Sequence, residues 1–271
     1  MTRADEIDPD ALRAHLKWLA DEGLDGALIL GTNGEFPSFT LPERKSVAYA
    51  ASLGKSGLQL LLNIGGCALR EVLEMAVVAK DCGYRAVLCP PPWYFKNAPV
   101  AGLADFFRRI LEFSKLPVLL YHIPQLTGVP VSDELLAAIG PHENLVGIKD
   151  STGDEAEMQR LLPRFKDGAY LVGNDRLVAA CHAQGGHGSI SACASVIPDL
   201  VKSIERKPEQ QAKLNSVRGL LEKFGLGGAV KAILKKKGLG DYHTRPPLTG
   251  LPDAQAEQLF AMLNMFGAIR W

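Results

Sequence analysis

Several features that mark other classes of protein are missing from this 271-residue sequence. No stretch reaches 18 uninterrupted apolar residues, and the opening Met-Thr-Arg-Ala-Asp-Glu does not look like the start of a signal peptide. Lysine plus arginine equals aspartate plus glutamate at 30 each, so the chain has no basic field for nucleic acid. We therefore expect a cytoplasmic protein that binds neither membrane nor nucleic acid.

Cysteine pairs and metal-ligand spacings are also missing. The five cysteines form no C-x-x-C pair, and their odd number fits a reducing compartment better than a disulfide framework. No H-x-H or H-E-x-x-H spacing occurs, so we expect no metal and no metal-dependent mechanism. The cysteines are Cys67, Cys82, Cys89, Cys181 and Cys193.

Short apolar runs alternate with longer amphipathic segments along the chain. Their lack of period-two alternation is typical of parallel strands covered on both faces. Repeated β-α units of this kind favour a (β/α)₈ barrel, and no G-x-G-x-x-G follows the first run, as a doubly wound dinucleotide-binding sheet would require. Seven such runs are predicted as strands: 26–31, 58–65, 86–90, 117–124, 145–151, 169–175 and 186–192.

The barrel prediction is one strand short at its beginning. Only residues 1–7 precede the first helical pattern, so the first strand is expected to be stunted or missing, the latter through a truncated start of the gene. After a last barrel helix at about 197–206, three more helices are predicted at 208–225, 227–237 and 253–267. We divide the chain into a catalytic barrel, residues 1–207, and a C-terminal extension, residues 208–271, packed on it.

A lysine lies inside the apolar strand LVGIKDS (145–151). Strand parity places Gly147, Lys149 and Ser151 on one face, expected to face the barrel interior, with Val146, Ile148 and Asp150 on the other. Tyr121 ends the preceding strand, facing opposite to His122. A neutral amine beside a phenol suits imine formation with a carbonyl substrate. The alternative is that Lys149 reaches the rim or pairs with Glu35 or Asp175.

The loop GTNGE (31–35) follows the first predicted strand. Exposed amide groups in such a turn bind carboxylates, and Thr32 and Asn33 add side-chain donors. A tight turn explains much of this pattern without any function, since Thr40 and Glu43 form a capping box for the next helix.

Taken together, these segments resemble the family of dihydrodipicolinate synthase and N-acetylneuraminate lyase, the pyruvate-dependent class I aldolases. The resemblance covers nearly the whole chain after about residue 7, with the motifs in the family's order and spacing. They are GTNGE, PPPWY (90–94), YHIPQLTG (121–128), GIKDS (147–151), VGND (172–175), GGHGSIS (185–191) and RPPL (245–248).

The resemblance implies a role for each matching position. Lys149 would form a Schiff base with a 2-oxo acid, and Tyr121 would donate and accept the proton. Thr32 would serve both the carboxylate loop and the proton relay, and Tyr94 would be a second relay tyrosine, often supplied by an adjacent subunit of a homotetramer built as a dimer of dimers. No cofactor is implied, because the imine itself withdraws electrons. Substrate-binding positions would be Thr32, Asn33, Ile190, Ser151 and Gly173.

One departure from the family's sequence pattern narrows the range of expected substrates. Dihydrodipicolinate synthases carry an arginine where this chain has Leu126, and leucine forms no ion pair with a substrate carboxylate. The segment GTNGEFP, with Asn33 and the Phe36-Pro37 pair, is similar to the 4-hydroxy-2-oxoglutarate aldolases. The expected substrate is therefore a small 4-hydroxy-2-oxo acid, such as 4-hydroxy-2-oxoglutarate or a 2-keto-3-deoxy sugar acid. Dihydrodipicolinate synthase and N-acetylneuraminate lyase activities remain alternatives, as does a non-catalytic 2-oxo-acid-binding protein on the same scaffold.

Overall fold

A computed structural model describes residues 1–54, 56–269 and 271. Six parallel strands are each followed by at least one helix, in agreement with the predicted β-α repeat. The strands are β1 Gly26–Ile29, β2 Gln59–Asn63, β3 Ala86–Cys89, β4 Val118–His122, β5 Leu145–Asp150 and β6 Ala169–Val172. The helices are α1 Pro9–Asp21, α2 Leu41–Leu53, α3 Leu69–Asp81, α4 Val100–Phe113, α5 Pro124–Thr127, α6 Asp133–Ile139, α7 Glu155–Leu161, α8 Val178–Ala183, α9 Pro198–Ser203, α10 Gln211–Lys223, α11 Leu226–Lys236 and α12 Asp253–Met265.

The strands pair strictly in chain order, from β1 at one edge to β6 at the other. The sheet is curled and helices cover its outer face, so the fold is the (β/α)₈ barrel type with additional C-terminal helices. Side chains from the concave face form a small inner cluster that includes Leu88, Leu119 and Tyr121. A much larger apolar layer lies between the sheet and the helices.

The two ends of the strand series are weak in the structure. Residues 1–7 are all described and none of them belongs to a strand, in agreement with the expected stunted or missing first strand. The seventh run, 186–192, contributes only a bridge between Val172 and Ser189, although Ile190 N also donates to Val172 O at 2.9 Å. Gly186 and Gly188 interrupt this segment, and Gly188 has a φ of 136° that a regular strand excludes.

Strand parity holds at the end of β5 but fails near its start. Lys149 faces inward and Ile148 packs outward, as predicted. Val146, predicted to face outward, instead packs against the inner cluster. The pairing of β4 with β5 shifts register here, because Val118 pairs with Leu145 whereas Leu119 pairs with Gly147. The extra residue of this β-bulge reverses the parity before Gly147.

The C-terminal extension contains α10, α11 and α12, close to the predicted helix bounds. Its contacts with the rest of the chain include hydrogen bonds and ion pairs. Tyr242 Oη donates to the carbonyl of Ala11 in α1 at 2.9 Å, and Arg218 in α10 pairs with the buried Asp175 after β6. The predicted Thr40–Glu43 capping box is present at the start of α2.

Candidate active site

Tyr121 on β4 and Lys149 on β5 lie directly opposite each other, near the carboxyl ends of the two strands. Both are almost completely buried, with exposed fractions of 5% for Lys149 and 2% for Tyr121. The Lys149 Nζ lies over the tyrosine ring, 4.1 Å from its centroid. This cation–π contact offsets part of the cost of removing an ammonium from water. The predicted lysine–phenol pair is therefore present inside the barrel.

Thr32 joins this pair from the loop after β1. Its Oγ1 lies 3.0 Å from the Tyr121 hydroxyl, at hydrogen-bond distance. Burial alone would raise the pKa of Tyr121, but the positive charge of Lys149 and the hydrogen bond to Thr32 outweigh it and lower that pKa below its ordinary value. A phenol tuned in this way exchanges protons more readily at neutral pH.

The alternative partners of Lys149 are occupied elsewhere. Glu35 forms its ion pair with Lys231, and Asp175 pairs with Arg218. Within the described part of the chain, Lys149 forms no ion pair with a carboxylate. Its amine therefore remains available for a carbonyl group.

Two neighbours shape the space around the amine. The hydroxyl of Ser151, two residues after Lys149 on the same face, is buried and has no hydrogen-bond partner among the residues that the structure describes. A Cβ on Gly173 would overlap the Ser151 side chain and would come within 2.9 Å of Lys149 Cε. Glycine at 173 is thus what leaves room for both side chains.

A large cavity begins in front of these groups, at the carboxyl ends of the strands. Its volume is about 1380 Å³, and it continues beside β1 toward α1, where it is lined by His15. Seven of the eight predicted site residues line it: Thr32, Asn33, Tyr121, Lys149, Ser151, Gly173 and Ile190.

Gln125 also lines the cavity, and sequence reasoning did not identify it. Its Nε2 donates to the carbonyl of Ser151 at 2.7 Å and so links α5 to the end of β5. The only signal in the sequence was its position between the Tyr121 strand and Leu126. A polar side chain directly after the Tyr121 strand could have been expected to contact the neighbouring strand that carries Lys149.

The described residues contain no group of three or more His, Cys, Asp or Glu side chains arranged to hold a metal ion. His122 points away from Tyr121, where its Nε2 lies 2.9 Å from Glu157 Oε2 and its Nδ1 accepts from Val131 N. In the same part of the chain, no helix has both the length and the apolar character needed to cross a membrane.

Comparison with known proteins decides the family. The model of the dihydrodipicolinate synthetase family matches residues 1–265. The chain belongs to this family. Among its relatives is an uncharacterized DapA-like lyase of Chloroflexus aurantiacus, which is 34% identical over 271 residues, covering 94% of this chain and 89% of the relative.

Two solved structures of the dihydrodipicolinate synthetase family agree with the fold. YagE, a prophage protein from E. coli K12 solved with pyruvate, matches with a TM-score of 0.92 and 24% identity over 99% of this chain and 95% of its own. The chloride-inhibited dihydrodipicolinate synthase of Acinetobacter baumannii, also with pyruvate, matches with a TM-score of 0.90 and 27% identity over 99% and 96%. The predicted family of pyruvate lyases and aldolases is confirmed.

Leu126 and Tyr94, two positions singled out from the sequence, lie at or beyond the rim of the cavity. Leu126 is 60% exposed at the mouth of the cavity. Tyr94 does not line the cavity; it is 76% exposed and packs edge-to-face on Phe95, with ring centroids 5.1 Å apart. Its predicted relay role stays a prediction, and within one chain the geometry does not bring it to Tyr121.

Proposed function

We propose that the protein is a class I aldolase that cleaves or forms a small 4-hydroxy-2-oxo acid through a Schiff base on Lys149. The observation that carries this proposal is the buried amine of Lys149, which has no carboxylate partner among the described residues and faces a cavity beside the Tyr121 phenol. Burying an unpaired ammonium is unfavourable, so a lysine kept in this state is a candidate for chemistry.

The first step is capture of the ketone. The neutral amine of Lys149 attacks C2 of the 2-oxo acid, and the resulting carbinolamine loses water to give an iminium. In this proposal Tyr121 moves protons between nitrogen and oxygen during this step. Its hydrogen bond to Thr32 and the contact of its ring with the Lys149 amine support that role. The lowered pKa of Tyr121 helps it to act in both directions.

Cleavage of the carbon–carbon bond follows from the iminium. Tyr121, as phenolate, removes the proton of the C4 hydroxyl; the C3–C4 bond breaks and its electron pair moves into the iminium, giving an enamine and an aldehyde. Protonation at C3 and hydrolysis then release pyruvate and free Lys149. The positive nitrogen stabilises the developing carbanion, which is the main source of rate acceleration. The reverse sequence forms the bond.

The carboxylate next to the ketone is assigned to the loop after β1. Thr32–Gly34 form one turn of 3₁₀ helix, and among residues 1–54, 56–269 and 271 no side chain caps its first amide groups. Those amides, with the Asn33 side chain, suit an anion. Ile190, Ser151 and Gly173 lie on the same cavity wall and would contact the pyruvyl part.

Dihydrodipicolinate synthase activity is the second candidate, because the Acinetobacter baumannii structure with 27% identity carries that name. Leu126 weighs against it. An apolar side chain at the rim gives no charged anchor to a second carboxylate, and bidentate arginine contacts are among the stronger ones in proteins. We therefore rank the small 4-hydroxy-2-oxo acids first.

A second subunit would complete the relay in this proposal. Tyr94 and Phe95 are exposed by 76% and 75% in the single chain, an unusual state for two adjacent aromatic residues. We assign this pair to the contact between two subunits of a tetramer, where Tyr94 reaches the neighbouring site. If Tyr94→Phe and Tyr94→Ala leave both the oligomer size and kcat unchanged, this assignment is wrong.

A substrate panel tests the proposed reaction. Release of pyruvate is measured from 4-hydroxy-2-oxoglutarate, 2-keto-3-deoxygluconate and N-acetylneuraminate, and condensation is measured with pyruvate and aspartate semialdehyde. We expect the highest kcat/KM with one of the first two compounds. Leu126→Arg serves as the matched variant, expected to improve condensation with aspartate semialdehyde. Efficient condensation by the unaltered protein would contradict the ranking.

A further inference from the structure

Glu35 is a buried carboxylate in the loop that carries Thr32. Only 3% of it is exposed, and its backbone has the left-handed φ of 57° that is rare for residues other than glycine. Such a conformation is unfavourable and persists only where the surrounding structure holds it. The Glu35 amide donates to Thr32 O at 3.0 Å, so Glu35 and Thr32 belong to the same tight turn.

The partners of Glu35 come from the other end of the chain. Its Oε1 pairs with Lys231 Nζ in α11, and its Oε2 accepts from the Arg245 amide at 3.3 Å. Lys231 also donates to His243 O at 2.7 Å. Burial lowers the pKa of Lys231, and the hydrogen bond and charge of Glu35 counteract this effect. The ion pair thus joins α11 and the 243–245 segment to the substrate loop.

A second contact holds the far end of the same loop. Arg245 donates from its guanidinium to Glu43 at 2.8 and 3.0 Å and to Ser38 O at 2.8 Å. Its guanidinium carbon also lies 5.2 Å from the Phe39 ring centroid. The C-terminal extension therefore fixes both Glu35 and the start of α2, and residues 32–34 lie just before the fixed segment.

We propose that Glu35 and Lys231 are positioning residues, and that their ion pair lets the C-terminal extension hold the Thr32 hydroxyl on Tyr121. Neither side chain touches Tyr121 in the hydrogen bonds described above; they act through the turn that contains Thr32. A hydroxyl displaced by about 1 Å loses such a hydrogen bond, and errors of this size cost up to about 10²-fold in rate.

Two single substitutions test the proposal without any assay of activity. Glu35→Ala and Lys231→Met each break the ion pair, and the pKa of Tyr121 is followed by NMR with ¹³C-labelled tyrosine, assigned by Tyr121→Phe. We expect both variants to raise that pKa by roughly one unit, because each loses the hydrogen bond from Thr32 to the phenolate. Direct charge effects would instead lower it in Glu35→Ala and raise it in Lys231→Met.

The control is Lys235→Met, on the same helix one turn later. Lys235 pairs with Asp241 at 2.8 Å, but both side chains are about half exposed, so its loss should leave the pKa of Tyr121 unchanged. Shifts of opposite sign in the two test variants, or none in either, would overturn the proposal. If Lys231→Met does not fold, Glu35→Ala still decides, because the direct charge effect alone would lower the pKa of Tyr121 in it. If Glu35→Ala does not fold, Glu35→Gln replaces it, and a lowered or unchanged pKa of Tyr121 in that variant contradicts the proposal.

A kinetic readout rests on the function proposed above. We expect kcat to fall roughly tenfold or more in Lys231→Met, while borohydride still traps pyruvate on the protein. Lys231→Arg, which can keep the ion pair, should restore most of kcat. Should the unaltered protein trap no pyruvate, the proposed function fails, whereas the NMR comparison still tests the role of the ion pair.

Discussion

The buried polar side chains on the two faces of β4 and β5 differ in how completely they are hydrogen-bonded. Tyr121 and Lys149 face inward, and His122 and Asp150, the next residue on each strand, face outward. All four are at most 5% exposed. The outward carboxylate of Asp150 accepts from Tyr170 Oη at 2.7 Å and from the amide and hydroxyl of Thr152.

The inward pair has fewer partners. The Tyr121 hydroxyl has Thr32 as a partner, and Lys149 has the tyrosine ring but, in the part of the chain that the structure describes, no ion pair. Outward groups that are fully hydrogen-bonded stabilise the fold, whereas an incompletely paired ammonium opposes it. Burial of a polar residue therefore identifies a candidate site only when the hydrogen bonds of its side chain are incomplete. Substitutions on the two faces should therefore separate activity from stability.

The largest effect is expected from Lys149→Met. Without the nucleophile no iminium forms, and the rate should fall by at least about 10⁴-fold, the scale on which loss of a covalent nucleophile acts. Unfolding in urea should show that the variant is at least as stable as the parent, because a buried ammonium has been replaced by an apolar chain of similar length. A clear loss of stability would mean that Lys149 is structural.

Tyr121→Phe should have the next largest effect. The phenyl ring keeps its packing under Lys149, but no proton can be transferred, so kcat should fall about 10²–10⁴-fold. Binding of pyruvate, followed by isothermal titration, should change much less. Retention of full kcat would assign the proton transfer to another group.

Asp150→Ala tests the opposite face. Removing this carboxylate leaves the Tyr170 hydroxyl and the Thr152 amide without their acceptor, and the free energy of unfolding should fall by about 1–3 kcal/mol. The exposed Asp167 provides a matched control, since Asp167→Ala should change stability by less than about 0.5 kcal/mol. Equal stability of the two variants would contradict the distinction between the faces.

The smallest effect concerns Glu157, which contacts His122 on the outer face. A hydrogen bond from Arg160 lowers the pKa of Glu157; burial opposes this shift, and His122 adds to it. Because the folded-state pKa is depressed, the stabilisation is present above the unfolded value of about 4.3 and is lost as pH falls through the folded value. At pH 7 the free energy of unfolding of Glu157→Gln, measured in urea, should thus be lower than that of the parent.

The difference in the free energy of unfolding between Glu157→Gln and the parent should shrink as the pH falls below the pKa of Glu157 in the unfolded chain. Only below the folded-state pKa does the folded parent also carry a protonated Glu157, and both proteins then lack the ionic contact to Arg160. A difference that stays constant across the acid range would mean that shape and packing at residue 157, rather than its charge, stabilise the outer face.

Much of the fold and most of the site followed from local pattern. The period-two geometry of a strand was enough to place Lys149 and Tyr121 inside and His122 outside, because it depends only on neighbours in sequence. It failed at Val146, since a β-bulge is created by how two strands pair and leaves no clear mark in either one. The regular strand predicted at 186–192 failed for a different reason, because Gly186 and Gly188 interrupt the segment and Gly188 has a positive φ.

Long-range contacts were beyond the reach of pattern. Glu35 and Lys231 are 196 residues apart, and nothing in either segment indicates that a loop glutamate meets a helix lysine. Sequence reasoning considered Glu35 as a partner of Lys149, which the structure contradicts, because the ion pair to Lys231 uses that carboxylate. The exposed position of Tyr94 was also out of reach, because it depends on how the loop between β3 and α4 lies on the protein surface.

Borohydride reduction in the presence of pyruvate, followed by peptide mass spectrometry, tests the central claim most directly. The account predicts one reduced pyruvate adduct on the parent protein, located on Lys149, and none on Lys149→Met. An adduct elsewhere, or no adduct with saturating pyruvate, would show that the buried amine between β4 and β6 does not condense with a 2-oxo acid.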